Sequence, residues 1–138
     1  MKFIETKLKG CFILEPKINK DERGYFMESF NEKSFQEGVG QNVYFVQDNQ
    51  SFSTKGVLRG LHLQKPPFAQ GKLVRVISGS VIDVAVDLRP NSPTFGQYEA
   101  FQLSAEKQNM VYVPEGFAHG FAVLEDNTIF AYKCSNYY

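Results

Sequence analysis

The chain has 138 residues, 43% of them hydrophobic and 14% aromatic, and its 15 basic side chains balance 15 acidic ones. A chain this long buries enough surface for one core without staples and has no room for a second, so residues 1–138 are read as a single domain. The zero formal charge argues against a nucleic-acid binder, which needs a basic excess to displace phosphate counterions. No segment approaches a membrane span, and Met1 to Lys7 lacks the apolar run of a secretory signal, so the expectation is a cytoplasmic protein without a membrane partner. Cys11 and Cys134 form no CxxC pair and are expected to be reduced, buried, small apolar side chains.

Thirteen Phe and seven Tyr with no Trp point to a β-rich fold, because such side chains suit a pleated, half-buried surface. In chain order, the helix candidate is a single short piece at residues 31–36, and residues 42–48 and 57–64 are expected to be extended. The clearest strand signal spans residues 72–77 and 80–88 around Ser78-Gly79, which is expected to be a hairpin with a glycine turn. In its second arm Ile82, Val84, Val86 and Leu88 share one face, and Val81, Asp83, Ala85 and Asp87 share the other. The apolar face is expected to be core and the other to carry carboxylates. Arg89-Pro90-Asn91-Ser92-Pro93 ends that strand, and shorter strands are expected at 97–103, 110–113, 119–124 and 128–133. Short strands at this spacing imply a sandwich or barrel.

Only two histidines are present, His62 and His119, which excludes a three-histidine metal site by counting. The run His62-Leu63-Gln64 has glutamine where a His-x-His pair would place its second ligand, so neither a catalytic metal nor a cofactor is expected. If Asp126-Asn127 is a two-residue hairpin loop, His119 and Tyr132 share a sheet face as diagonal neighbours able to border one small ligand. The same arithmetic on Ser78-Gly79 sets Val74 opposite Asp83 and puts Lys72 on the face of Asp83, while a three-residue loop reverses that assignment. Burying Lys, His, Tyr and Asp together is costly unless they pair or bind something. Each alone also has an ordinary structural reading: a core tyrosine, a structural histidine, a cross-strand ion pair. Arg23, Arg59 and Arg75 are possible phosphate clamps or plain surface charges.

The runs Arg23-Gly24-Tyr25-Phe26-Met27-Glu28-Ser29-Phe30-Asn31, Gln47-Asp48-Asn49, Arg59-Gly60-Leu61-His62-Leu63-Gln64, Gln70-Gly71-Lys72-Leu73-Val74-Arg75-Val76, Asp83 to Arg89 and Pro114-Glu115-Gly116-Phe117-Ala118-His119-Gly120-Phe121 lie in this order. Together they resemble the dTDP-4-dehydrorhamnose 3,5-epimerase family over nearly the whole chain. The resemblance implies an all-β fold, a cupin-type jelly-roll barrel with a short helix, acting without metal as a homodimer. It implies a nucleotide-sugar substrate, dTDP-4-dehydro-6-deoxy-D-glucose, inverted at C3 and C5 through an enolate.

By this resemblance His62 matches the general base, a role suited to an imidazole, whose unperturbed pKa is about 6.5. Tyr132 matches the proton donor on the opposite face, and Lys72 the cation beside the C4 oxygen, where charge develops. His119 lines the sugar site, with Asp83 supporting Lys72 or His119. Arg23 and Arg59 match diphosphate contacts, and Gln47 and Asn49 sugar or phosphate contacts. Phe26 and Glu28 resemble residues that contact thymine across the dimer, and Tyr138 one that stacks on the base. Family members usually continue well beyond the tyrosine pair, and a carboxylate there orients the base histidine; the present chain ends at Tyr138. Two other readings therefore stand beside the epimerase: a nucleotide-sugar-binding barrel with weak or no turnover, and a sugar-nucleotide 3,4-ketoisomerase.

Overall fold

The computed structural model describes residues 1–137, in which aromatic and β-branched runs form twelve strands around one helix. They are β1 (Lys2–Glu5), β2 (Phe12–Glu15), β3 (Asn19–Asp21), β4 (Gly24–Phe26), α1 (Glu32–Val39), β5 (Gln47–Ser53), β6 (Leu58–His62), β7 (Lys72–Ser78), β8 (Ser80–Asp87), β9 (Tyr98–Ser104), β10 (Met110–Val113), β11 (Phe117–Val123) and β12 (Thr128–Cys134). A six-stranded sheet runs β1-β2-β10-β7-β12-β5 and a four-stranded sheet runs β6-β11-β8-β9, with β3 and β4 paired apart from both. From β5 onward the chain repeatedly crosses from one sheet to the other, which is the jelly-roll barrel the resemblance implies.

The core lies between the sheets. Val74, Val76, Phe130 and Val111 of one wall pack on Val81, Ala85, Phe101, Phe117 and Phe121 of the other. Phe121 and Phe130 stack across the gap with ring centroids 3.9 Å apart, and each buried ring of this kind contributes about 2 kcal/mol. A second cluster, with Phe35 and Val39 of α1 against Leu14, Leu73, Met110 and Tyr112, covers one end of the outer face of the six-stranded sheet. The helix starts where the Asn31 side chain accepts the Ser34 N–H at 3.0 Å. It stops at Gly40, whose φ of 65° provides the left-handed cap.

Three expectations are corrected. The segment 72–88 is not a paired hairpin: β7 joins the six-stranded sheet and β8 the four-stranded one, so Val74 faces Tyr132 and Val111 while Asp83 faces Phe121 and Phe101. Nor do β11 and β12 pair across Asp126-Asn127; they lie in opposite sheets, so His119 and Tyr132 look at each other across the barrel. In β8 the face carrying Val81, Asp83, Ala85 and Asp87 is the buried one, and Ile82, Val84 and Val86 turn outward. The carboxylates tolerate this because both are paired. Asp87 accepts from Arg89 at 2.9 Å and from Ser92 and Thr94 at 2.5 Å. Burial alone would raise its pKa, but the bonds from Arg89, Ser92 and Thr94 hold it well below the usual carboxylate range. Boundaries move as well: of the extended segment expected at 42–48 only residues 47–48 are strand, as the start of β5 (Gln47–Ser53), and the helix extends past residue 36 to Val39.

Candidate active site

The inward faces of β5, β6, β7, β8, β11 and β12 bring most of the expected residues into one end of the barrel. On the four-stranded wall, His119 Nε2 donates to Asp83 Oδ2 at 2.6 Å, with Asp83 fully buried and its other oxygen without a partner among the described residues. Because the carboxylate takes Nε2, the Nδ1 atom of that ring is the one left for a ligand. His62 lies directly opposite His119 in the ladder and so points to the same side, at the open edge of the wall. Among the described residues its imidazole has no hydrogen-bond partner.

On the six-stranded wall, Lys72 is 8% exposed and its ammonium sits 5.6 Å from the centre of the Tyr132 ring. Burial lowers its pKa, and the nearby Cys134 and Asp83 only partly offset that. Tyr132 faces Asn49 across the ladder on one side and Val74 on the other. Gln47, Asn49, Ser51 and Ser53 of β5 alternate inward. Gln47 donates to Asn49 Oδ1 at 3.0 Å, and Arg59 Nε reaches from β6 to Ser53 Oγ at 3.1 Å, spanning the gap between the sheet edges.

The structure thus gathers His62, Lys72, Asp83, His119, Tyr132, Gln47, Asn49 and Arg59. It does not bring Arg23, Phe26 or Glu28 to them within one chain. Arg23 is held by Asp21 at 2.7 Å on the exposed β3–β4 hairpin, Phe26 is 73% exposed, and Glu28 follows on the surface. Tyr138 lies outside the described residues. Arg75 faces the other way, into a groove of about 310 Å³ on the outer side of the six-stranded sheet. Sequence reasoning missed Ser53, which holds Arg59, and Cys134, whose sulfur accepts from Asn49 Nδ2 at 3.8 Å. Each lies on the inward face of a strand that already carries a site residue, Asn49 for Ser53 and Tyr132 for Cys134, the one signal the sequence offered.

This arrangement suits a small polar ring lying between the walls. An imidazole and a phenol face it from opposite sides, with an ammonium able to stabilise charge on an oxygen borne by the ring and a second imidazole offering Nδ1 as an acceptor to a hydroxyl. Among the described residues no three His, Cys, Asp or Glu side chains gather in a way that could hold a metal ion.

The family model described as dTDP-4-dehydrorhamnose 3,5-epimerase matches residues 5–138. The dTDP-4-dehydrorhamnose 3,5-epimerase of Shigella flexneri is 59% identical over the whole of this chain and 76% of its own length. The crystal structure of the Elizabethkingia anophelis enzyme superimposes with a TM-score of 0.95 at 58% identity, covering 100% of this chain and 75% of that one. The Legionella pneumophila epimerase, solved in complex with dTDP-4-keto-L-rhamnose, gives a TM-score of 0.94 at 53% identity over 99% of this chain and 72% of that one. On this match across nearly the whole chain, the chain belongs to the dTDP-4-dehydrorhamnose 3,5-epimerase family.

Proposed function

We propose that this barrel converts dTDP-4-dehydro-6-deoxy-D-glucose to dTDP-4-dehydro-L-rhamnose, an isomerisation at C3 and C5 in the biosynthesis of dTDP-L-rhamnose. The observation that carries the reading is that His62 and Tyr132 stand on facing walls, with Lys72 beside Tyr132 and His119 beside His62. His62 removes the proton from the carbon next to the ketone, and the C–H electron pair moves onto the C4 oxygen as an enolate. Lys72 stabilises that oxygen, while His119, its ring fixed by Asp83, offers Nδ1 as an acceptor to a sugar hydroxyl. Tyr132 then delivers a proton to the opposite face of the carbon, so configuration inverts and no atom is gained or lost. Lys72 is well suited to its part: burial denies it water, so a developing oxyanion is a better partner than anything it has without substrate.

Arg59 and Arg23 are assigned to the diphosphate, and Gln47 and Asn49 to sugar or phosphate oxygens. The active form is read as a homodimer in which Phe26 and Glu28 of one copy reach the thymine held by the other. Tyr138 is assigned to stacking on the base. The exposure of the β3–β4 hairpin supports this, since an isolated two-stranded hairpin is only marginally stable in water. The reading invokes no metal or cofactor and places the enzyme in the cytoplasm, where nucleotide sugars are made. No helix among the described residues is long and apolar enough to cross a membrane.

Turnover in deuterated buffer tests it. The wild-type product should carry solvent deuterium at both C3 and C5, and His62→Ala should abolish the exchange. Nucleotide binding by the wild type without any exchange would overturn the enzyme reading.

A further inference from the structure

We propose that Cys134 is a positioning residue for the substrate, its sulfur setting the orientation of the Asn49 carboxamide; this rests on the epimerase reading above. Cys134 is the last residue of β12, fully buried, and its register places it opposite Gln47 on one side and Lys72 on the other. It therefore stands between two groups assigned to the substrate.

A free asparagine carboxamide can turn over and exchange its donor end for its acceptor end. Here Gln47 donates to Asn49 Oδ1 at 3.0 Å and Asn49 Nδ2 donates to Cys134 Sγ at 3.8 Å, so the carboxamide is held at both ends. One N–H and one oxygen lone pair of Asn49 are then left, on known sides, for a ligand. Burial pushes the Cys134 thiol up, which keeps the sulfur neutral. A neutral neighbour matters because a thiolate beside Lys72 would consume the positive charge that the C4 oxygen requires. A small apolar filler would satisfy the packing at this position but would leave the Nδ2 end of Asn49 unheld.

The test is steady-state kinetics on Cys134→Ala, Asn49→Ala and the double variant, with thermal unfolding measured alongside. Loss of one hydrogen-bonded constraint should raise KM for the nucleotide sugar about fivefold in Cys134→Ala while kcat stays within about twofold. In the Asn49→Ala background the same change should leave KM unaltered. Cys134→Ser, which retains an acceptor, should restore KM. Should the alanine variant fail to fold, Cys134→Val, which fills the space without offering a comparable acceptor, takes its place in the cycle. An unchanged KM, or an effect that persists in full without Asn49, would overturn this inference alone. A wild type without turnover would overturn the epimerase reading and this inference with it.

Discussion

Lys72 shows how the site draws on the stability of the fold. Its ammonium lies in the barrel with no hydrogen-bond partner among the described residues, and burial lowers its pKa. A lysine with a folded pKa below its unfolded one opposes folding wherever it is charged, and that penalty is relieved only as pH rises through the folded value. Lys72→Met should therefore stabilise the protein at neutral pH, by about 1 kcal/mol in chemical denaturation, while lowering kcat by about 10²-fold or more. A destabilised but active variant would show that the ammonium is held by the fold rather than by substrate. At this scale Lys72, Asp83, His119 and Tyr132 were legible as polar groups in apolar, alternating runs, while the role of His62 came from the family resemblance alone. Ser53 and Cys134 did not stand out, because a small side chain in a strand looks like packing until its neighbours are known.

Elements were legible as segments but not as pairings. Two consecutive strands with a glycine between them usually form a hairpin, and that logic paired β7 with β8 and β11 with β12; the structure sends each member to a different sheet. Local sequence carries the period of a strand but not its partner, which is decided by long-range packing of the two walls. The β6–β11 contact illustrates what does specify a pairing. Gly60 has φ of 100°, and a Cβ there would come within 2.7 Å of the His119 carbonyl oxygen and 2.8 Å of Gly120 Cα. Gly120 in turn would meet the Arg59 carbonyl at 2.7 Å, so the two strands approach through paired glycines where the register shifts between His119 and Phe121. Gly60→Ala would push β6 away from β11 and carry Arg59 and His62 with it. The expected result is a loss of about 2 kcal/mol in stability and a larger fall in kcat/KM than that loss explains. Unaltered kinetics in a folded Gly60→Ala protein would show that the close approach does not position His62.

On the scale of the whole molecule, the barrel is a device for holding two walls at a fixed separation. Sheets packed face to face stand about 10 Å apart, room for one sugar ring between side chains. The stacked Phe121 and Phe130 form an apolar floor, and the polar residues occupy the end beyond it. That layout explains why one face of β8 can carry both the core residues Val81 and Ala85 and the carboxylate of Asp83. It also makes the two proton-transfer groups separable, because each belongs to a different sheet. His62 is exposed at the edge of its wall, so its proton can exchange with solvent between removal and return. The most direct measurement is the fate of substrate incubated with Tyr132→Phe in deuterated water. Recovered sugar nucleotide should gain deuterium with its original configuration, since the base still acts and returns the label to the face it came from. Efficient formation of the inverted product by this variant, or no label in recovered substrate despite intact nucleotide binding, would contradict this assignment of base and acid.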